Sequence, residues 1–203
     1  MIKTIIFDNG GVLVSGNEDG VYQLFSNAYN TNKRDVKIEY DWCARRLDSG
    51  ELTSRDFYKK LEEIFGVVIP YEVIKDEHRN AFVRKEDVIA YAKSLKNHFD
   101  LALLSNFGDY FDEFNQDWDL GELFDDNKMF VSCKIGLTKP DKGIYEYTLQ
   151  QLGRKPEETV FIDDRLQNIE TARSLGMNVV QFKSAEQLKT DLTKIIEREN
   201  GKR

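Results

Sequence analysis

Residues 5–13 read Ile5-Ile6-Phe7-Asp8-Asn9-Gly10-Gly11-Val12-Leu13. Three apolar residues with strong sheet preference mark a buried strand, and Gly10 and Gly11 loosen the chain into a turn right behind it. A carboxylate carried off a buried strand into such a turn is placed as a reacting group would be. The same placement suits a loop Asp that caps the next segment, so the downstream sequence has to decide between the two.

Four further strand-like runs occur, at Leu101–Leu104, Met129–Val131, Thr159–Ile162 and Asn178–Phe182, beside the first at Ile2–Phe7. Between them lie helical periods. Lys142–Leu152 sets Ile144, Tyr145, Thr148, Leu149 and Leu152 at three-and-four spacing and stops at Gly153; Leu166–Leu175 stops at Gly176 in the same way. Strand alternating with helix predicts parallel pairing, hence an α/β fold with a doubly wound parallel sheet. Ligands bind such sheets at the carboxyl ends of the strands, where Asp8, Ser105 and Asp163 fall.

The stretch 16–85 departs from this rhythm and reads as an all-helical insert after the first strand, leaving 1–15 and 86–203 as the α/β core. Its predicted stripes are Leu24, Phe25 and Ala28; then Ile38, Trp42, Arg45 and Arg46; then Phe57, Leu61, Ile64 and Phe65, started by Thr53 or Ser54 as N-cap. Pro70 opens a fourth helix. Four short helices in that position predict a lid over the active edge of the sheet.

The chain has 203 residues, 40% of them hydrophobic, and a formal charge of −7. The length suits one main domain with a modest appendage, and the charge argues against nucleic acid, whose phosphates need a concentrated basic face. No run reaches membrane-spanning length and no signal segment precedes the first strand, so a cytoplasmic protein with no membrane partner is expected. Cys43 and Cys133 have neither disulfide-framework nor metal-finger spacing and read as buried thiols. His78 and His98, remote from each other in sequence, read as surface helix residues. Tyr110, Phe114 and Trp118 predict an amphipathic helix packed on the sheet with its acids solvated; Lys75-Asp76-Glu77-His78-Arg79 reads as a mixed-charge helix surface, and Glu197–Arg203 as a frayed end.

Four polar groups end strands or come just after them: Asp8, Ser105-Asn106, Lys139-Pro140 and Asp163-Asp164. A carboxylate approaches a phosphate dianion only when positive charge offsets the repulsion, and a divalent cation with a lysine supplies it. Asp8 and Asp164 suit Mg²⁺, with the Gly10 carbonyl as a third protein oxygen. Ser105 and the amides near Asn106 suit the remaining phosphate oxygens, and Lys139 suits a bridge between Asp8 and phosphate. Taken singly, each of these residues also fits a plain structural role, capping a helix or facing solvent.

The four motifs, in this order, resemble those of the haloacid dehalogenase superfamily of phosphohydrolases: Phe7-Asp8-Asn9-Gly10-Gly11-Val12-Leu13, Leu103-Leu104-Ser105-Asn106, Lys139-Pro140-Asp141, and Val160-Phe161-Ile162-Asp163-Asp164 with Asn168, Ala172 and Gly176. The resemblance covers essentially the whole chain, the insert standing where that family carries its small cap. It is nearest to cytoplasmic members acting on small sugar phosphates, including the bacterial glucose-1-phosphatase type. It implies a Rossmann-like core, a small phosphorylated metabolite as substrate, an aspartyl-phosphate on Asp8, phosphate binding by Ser105 and Asn106, charge neutralisation by Lys139, Mg²⁺ on Asp8 and Asp164, and Asp163 as an indirect or water-mediated ligand. Asn168 either orients the Asp pair or caps a turn.

One departure matters. Phosphatases of the family usually carry a second Asp two residues after the nucleophile, and that position here is Gly10. Without this acid, turnover should favour good leaving groups such as acyl or aryl phosphates. Candidate replacements from the insert are Asp19, Glu51 and His78, with Glu51 favoured because Asp48-Ser49-Gly50-Glu51 reads as a tight turn facing the site. Two other readings stay open: a metal-independent dehalogenase, against which the Asp163-Asp164 pair weighs, and a phosphometabolite-binding or regulatory protein, which Gly10 favours.

Overall fold

A computed structural model describes residues 1–16 and 19–201. Five parallel strands, β1 (Thr4–Phe7), β2 (Asp100–Ser105), β3 (Met129–Val131), β4 (Thr159–Asp163) and β5 (Asn178–Gln181), form one sheet in the order β3-β2-β1-β4-β5. In this register Phe7, the last residue of β1, lies beside Leu103 and Ile162, so the carboxyl ends of β1, β2 and β4 are neighbours, with β4 reaching on to Asp163 and β2 to Ser105. The site grows from those ends.

Alternation along β1 shows why both sheet faces need helices. Ile5 and Phe7 point to one side and Ile6 to the other, all fully buried. The first side is covered by α5 (Glu86–Leu95), α6 (Phe111–Trp118) and α10 (Ala185–Asn200), through Val88, Ile89, Phe111, Phe114, Trp118, Leu188 and Leu192. The second is covered by α8 (Lys142–Leu152) and α9 (Leu166–Ser174), through Ile144, Tyr145, Leu149, Ile169 and Ala172. A single turn of helix, α7 (Ser132–Ile135), comes after β3. The doubly wound sheet expected from the sequence is the fold observed.

Between β1 and β2 lie α1 (Asp19–Ala28), α2 (Lys33–Asp48), α3 (Ser54–Phe65) and α4 (Tyr71–Ala81), which enclose an apolar core of their own. Thr53 caps α3, its side chain accepting from the Asp56 amide, and Gly66 closes that helix in the left-handed conformation. Two chain segments tether the insert: the Ser15 amide donates to the Val83 carbonyl at 2.7 Å and the Lys85 amide to the Leu13 carbonyl at 2.9 Å.

Several expectations need correction. In α2 the buried face is Val36, Tyr40, Cys43 and Leu47, while Ile38 and Trp42 are exposed. The helix carries two apolar stripes, and the rings that α1 and α3 present select the first: Tyr40 meets Tyr22 and Phe57 edge to face. Trp42 instead supports the Arg46 guanidinium at 5.6 Å. Ile64 is also exposed.

His78 is buried rather than superficial, because two tyrosine hydroxyls, Tyr40 and Tyr58, satisfy its ring nitrogens, one accepting and one donating. His98 is exposed as expected. Cys43 is buried, but Cys133, on the short α7, is only partly so. Of the end expected to fray, Glu197–Asn200 is helical, and Lys202 and Arg203 lie outside the described residues.

The two charged runs read separately as solvated surfaces meet each other. Lys75 and Arg79 of α4 pair with Glu113 and Asp117 of α6, and the Ser54 amide at the start of α3 donates to Asp109 at 3.0 Å. Glu113 and Asp117 are partly exposed yet partnered and clasp the insert to the sheet domain, whereas Asp112 pairs with Lys134 of α7. Gly108 allows the close approach there, since a Cβ at this position would stand 2.7 Å from the Leu47 side chain.

Candidate active site

Asp8 leaves β1 with its amide bonded to the Ile162 carbonyl at 2.9 Å, and its Oδ1 accepts the Asn9 amide at 2.7 Å. Lys139 Nζ also donates to Oδ1, at 2.7 Å, and then to Asp163 Oδ2 at 2.8 Å and the Leu104 carbonyl at 2.9 Å. All three ammonium protons are therefore directed, and the group is nearly inaccessible to water. Both protein bonds to Asp8 fall on Oδ1. Its Oδ2 carries none among the described residues.

Asp163 is the fixed point of this arrangement. Oδ1 accepts the Arg165 amide at 2.8 Å, and Asn168 Nδ2 donates to both oxygens at 3.0 and 2.9 Å. Asp163 thus holds Lys139 in place, and Asn168 orients Asp163. Asn106 does the same for the Lys139 backbone, donating to its carbonyl at 2.9 Å and accepting from its amide at 2.8 Å. Ser105 is buried at the end of β2, beside the cleft rather than in its wall.

Burial pushes the Asp8 carboxyl up to about 8, Lys139 pulls it down, and Asp163 adds to the upward shift. Burial alone would lower Lys139, but Asp8 and Asp163 outweigh it and hold the ammonium above its usual range. Asp164 is raised by burial and by Asp163. One oxygen from each of Asp8, Asp163 and Asp164 lies within 4.8 Å of the others, and Asp164 Oδ1 is buried with no hydrogen-bond partner. One lysine does not balance three converging carboxylates, so a hard divalent cation fits the residues present. Asp163 has already committed its oxygens, which leaves Asp8 and Asp164 as the ligands of choice. Gly11, at φ +82°, makes the approach possible, because a Cβ there would stand 2.5 Å from Asp164 Oδ2.

A cleft of about 160 Å³ opens over these groups, lined by Asp8, Gly10, Asn106, Lys139 and Asp164 from the core and by Tyr40, Ala44, Leu47 and Asp48 from α2. Asp8, Gly10, Asn106, Lys139, Asp163 and Asp164 are thereby brought together. Glu51 is not: its side chain is exposed and pairs with Arg46 at 3.2 Å. The turn holding it does meet the core, but Gly50 takes the contact against Cys133, and Asp48 is its acid in the cleft wall. Asp19 is exposed and lies 3.5 Å from Lys33, and His78 lies inside the insert. The sequence reading missed Tyr40, Phe82, Phe107 and Tyr110, which also line the cleft. Their aromatic character was visible, but only the tertiary fold sets them around one cavity.

Comparison with known proteins agrees with this geometry. The family model for haloacid dehalogenase-like hydrolases matches residues 2–176. The chain is 28% identical over 210 residues to a D-ribitol-5-phosphate phosphatase of Bacteroides thetaiotaomicron, covering 97% of this chain and 99% of that protein. It is 40% identical over 188 residues to a sesquiterpene phosphatase of Aspergillus oryzae, covering 86% and 87%. A HAD-like family hydrolase structure from Porphyromonas gingivalis superposes with a TM-score of 0.77 at 27% identity, covering 97% and 98%. A Bacteroides thetaiotaomicron HAD family enzyme in complex with magnesium and inorganic phosphate shares the fold, with a TM-score of 0.77 at 21% identity over 90% and 95% of the two chains. With residues 2–176 matched and its strand-end carboxylates assembled around a buried lysine, the chain belongs to the haloacid dehalogenase-like hydrolase family.

Proposed function

We propose that this protein hydrolyses small phosphate monoesters through an aspartyl-phosphate on Asp8. The observation that carries the reading is the buried Lys139 ammonium, bonded at once to Asp8 Oδ1 and Asp163 Oδ2 beneath the cleft. A lysine so placed leaves Oδ2 of Asp8 as the attacking atom and supplies fixed positive charge where phosphate must sit. Magnesium, held by Asp8, Asp164 and the Gly10 carbonyl, would offset the charge of the phosphate and of the carboxylate approaching it. The magnesium and phosphate in the related structure support that assignment.

Asp8 Oδ2 attacks phosphorus, the bond from phosphorus to the ester oxygen breaks, and its electron pair leaves with that oxygen. Water then attacks the phosphorus, the bond to Asp8 Oδ2 breaks, and orthophosphate departs with the carboxylate restored. Lys139 stays charged throughout, pinned by Asp163. No side chain at Gly10 protonates the leaving oxygen, so solvent supplies that proton and good leaving groups react best. The phosphatase relatives support the monoester class.

The test is orthophosphate release from p-nitrophenyl phosphate, a monoester, and from acetyl phosphate, with Mg²⁺ or with EDTA, against Asp8→Asn. Release that needs both the metal and Asp8 is expected. A second reading, that of a binding or regulatory protein, draws on Gly10; it predicts Mg²⁺-dependent ligand binding with no release. A metal-independent dehalogenase has no use for three carboxylates within 4.8 Å of one another, and EDTA-insensitive turnover is what it predicts.

A further inference from the structure

The floor of the cleft is polar, whereas its insert side is mostly aromatic and aliphatic. Tyr40, Ala44 and Leu47 from α2 and Phe82 just after α4 join Phe107 and Tyr110 after β2. Phe82 meets Phe107 edge to face at 5.7 Å, Phe107 meets Tyr110 edge to face at 4.9 Å, and His78 stacks on Tyr110 at 5.8 Å. These rings brace one another, so the wall is a fixed frame rather than a set of free side chains.

The polar groups of the floor, which include Arg165 and the unpartnered Asn168 Oδ1, lie away from this wall, and several of their neighbours are committed to other bonds. The Tyr40 hydroxyl bonds His78 within the insert, the Asn106 amide is spent on the Lys139 backbone, and Asn168 Nδ2 is spent on Asp163. Asp48 is the one charged side chain that the insert adds to the wall among the described residues. A polyol chain entering here would exchange water for aromatic faces and leave hydroxyls unsatisfied. A flat apolar group would not.

Size points the same way. The cleft of about 160 Å³ must admit the phosphoryl group as well, so it leaves room for one compact group and none for an extended chain. Gly10 contributes independently: it offers no proton, and an aryl oxygen leaves without one.

We propose that Tyr40, Phe82, Phe107 and Tyr110 frame a slot for a single aromatic ring in the leaving group, so that the site selects compact aryl phosphomonoesters over polyol phosphates. The inference rests on the phosphatase reading for the chemistry, but the slot itself can be tested without turnover. Calorimetric titration with benzylphosphonate and with methylphosphonate, in Mg²⁺, compares ligands that share a phosphonate head and cannot be hydrolysed at phosphorus.

Benzylphosphonate is expected to bind at least about tenfold more tightly. The gap should shrink below about threefold both in Phe82→Ala, which removes a wall, and in Ala44→Phe, which fills the slot. The two variants perturb packing in opposite directions, so a fold defect in one leaves the other informative. Equal affinities in the unaltered protein, or a gap that survives both substitutions, would overturn the slot. A benzyl advantage without acetyl phosphate hydrolysis would sink the phosphatase reading and keep the slot; acetyl phosphate hydrolysis without the advantage would do the reverse.

Discussion

Arg79 on α4 donates through Nη2 to Glu113 on α6 at 3.3 Å, joining the helical insert to the sheet domain. Lys75 reaches the same carboxylate at 3.0 Å, so one acid gathers two cations across the junction. Both partners of the Arg79 pair remain substantially exposed, at 38% and 41%. Exposed pairs contribute modestly and are screened by salt. A double-mutant cycle of Arg79→Ala and Glu113→Ala should give a coupling below about 1 kcal/mol in low salt, falling toward zero at high ionic strength. Urea unfolding of the four proteins measures it, and a coupling insensitive to salt would contradict the clasp.

Lys139→Met removes the cation that bridges two buried carboxylates. Breaking a buried pair from one side typically costs about 3–5 kcal/mol, because the partner charge stays behind. Stability should fall by that order at neutral pH, and phosphate release by at least about 100-fold, the scale of losing one fixed electrostatic group. Lys139→Arg should not rescue activity, since a planar fork does not reproduce three bonds from a point charge.

Gly10 has open space where a Cβ would project, with nothing within 4 Å. Gly10→Asp should therefore fold, and should place an acid beside the leaving oxygen. General acid catalysis commonly supplies about 10²–10⁴-fold. Rates on alkyl phosphates should rise by at least about tenfold, while acetyl phosphate changes little. A uniform change across both substrates would show that Gly10 does not govern proton supply.

Burial pushes the His78 imidazole down to about 3, far below its usual value of 6.5. The unfolded chain takes up a proton near pH 6.5 and the folded chain does not, so stability falls as pH drops from 6.5 toward 3. The slope approaches about 1.4 kcal/mol per pH unit, and between pH 7 and pH 5 this one group should remove about 2 kcal/mol. Urea midpoints at the two pH values measure the loss. His78→Gln should flatten the dependence even if its stability at pH 7 is lower.

The sheet and the reacting groups were legible because each is a local pattern. Ile5-Ile6-Phe7 declares a strand buried on both faces, and Gly10-Gly11 declares the turn that frees Asp8. The Asp163-Asp164 pair stands in a recognisable strand-end context, whereas Lys139 lies beyond α7 in the loop before α8 rather than at a strand end. Relations among distant elements were not legible. The face of α2 depends on Tyr22 and Phe57, which lie on other helices, so period alone does not choose between the stripe holding Ile38 and Trp42 and the one holding Tyr40. His78 looked superficial in a charged run because nothing local announces Tyr40 and Tyr58. Asn106 acts on Lys139, far along the chain, whereas Asn168 acts on the neighbouring Asp163, and only the second relation could be suspected from sequence.

Tyr40 and Leu47 each have two duties, since both are almost wholly buried in the core of the insert and both border the cleft. A substitution that reshaped the cleft at either position would also open a void in that core, at a cost of about 2–5 kcal/mol for a large side chain cut back to Ala. Evolutionary drift toward new substrates is therefore steered away from these two positions. It is channelled to Ala44 and Phe82, where half-buried side chains can be exchanged with less damage to the fold.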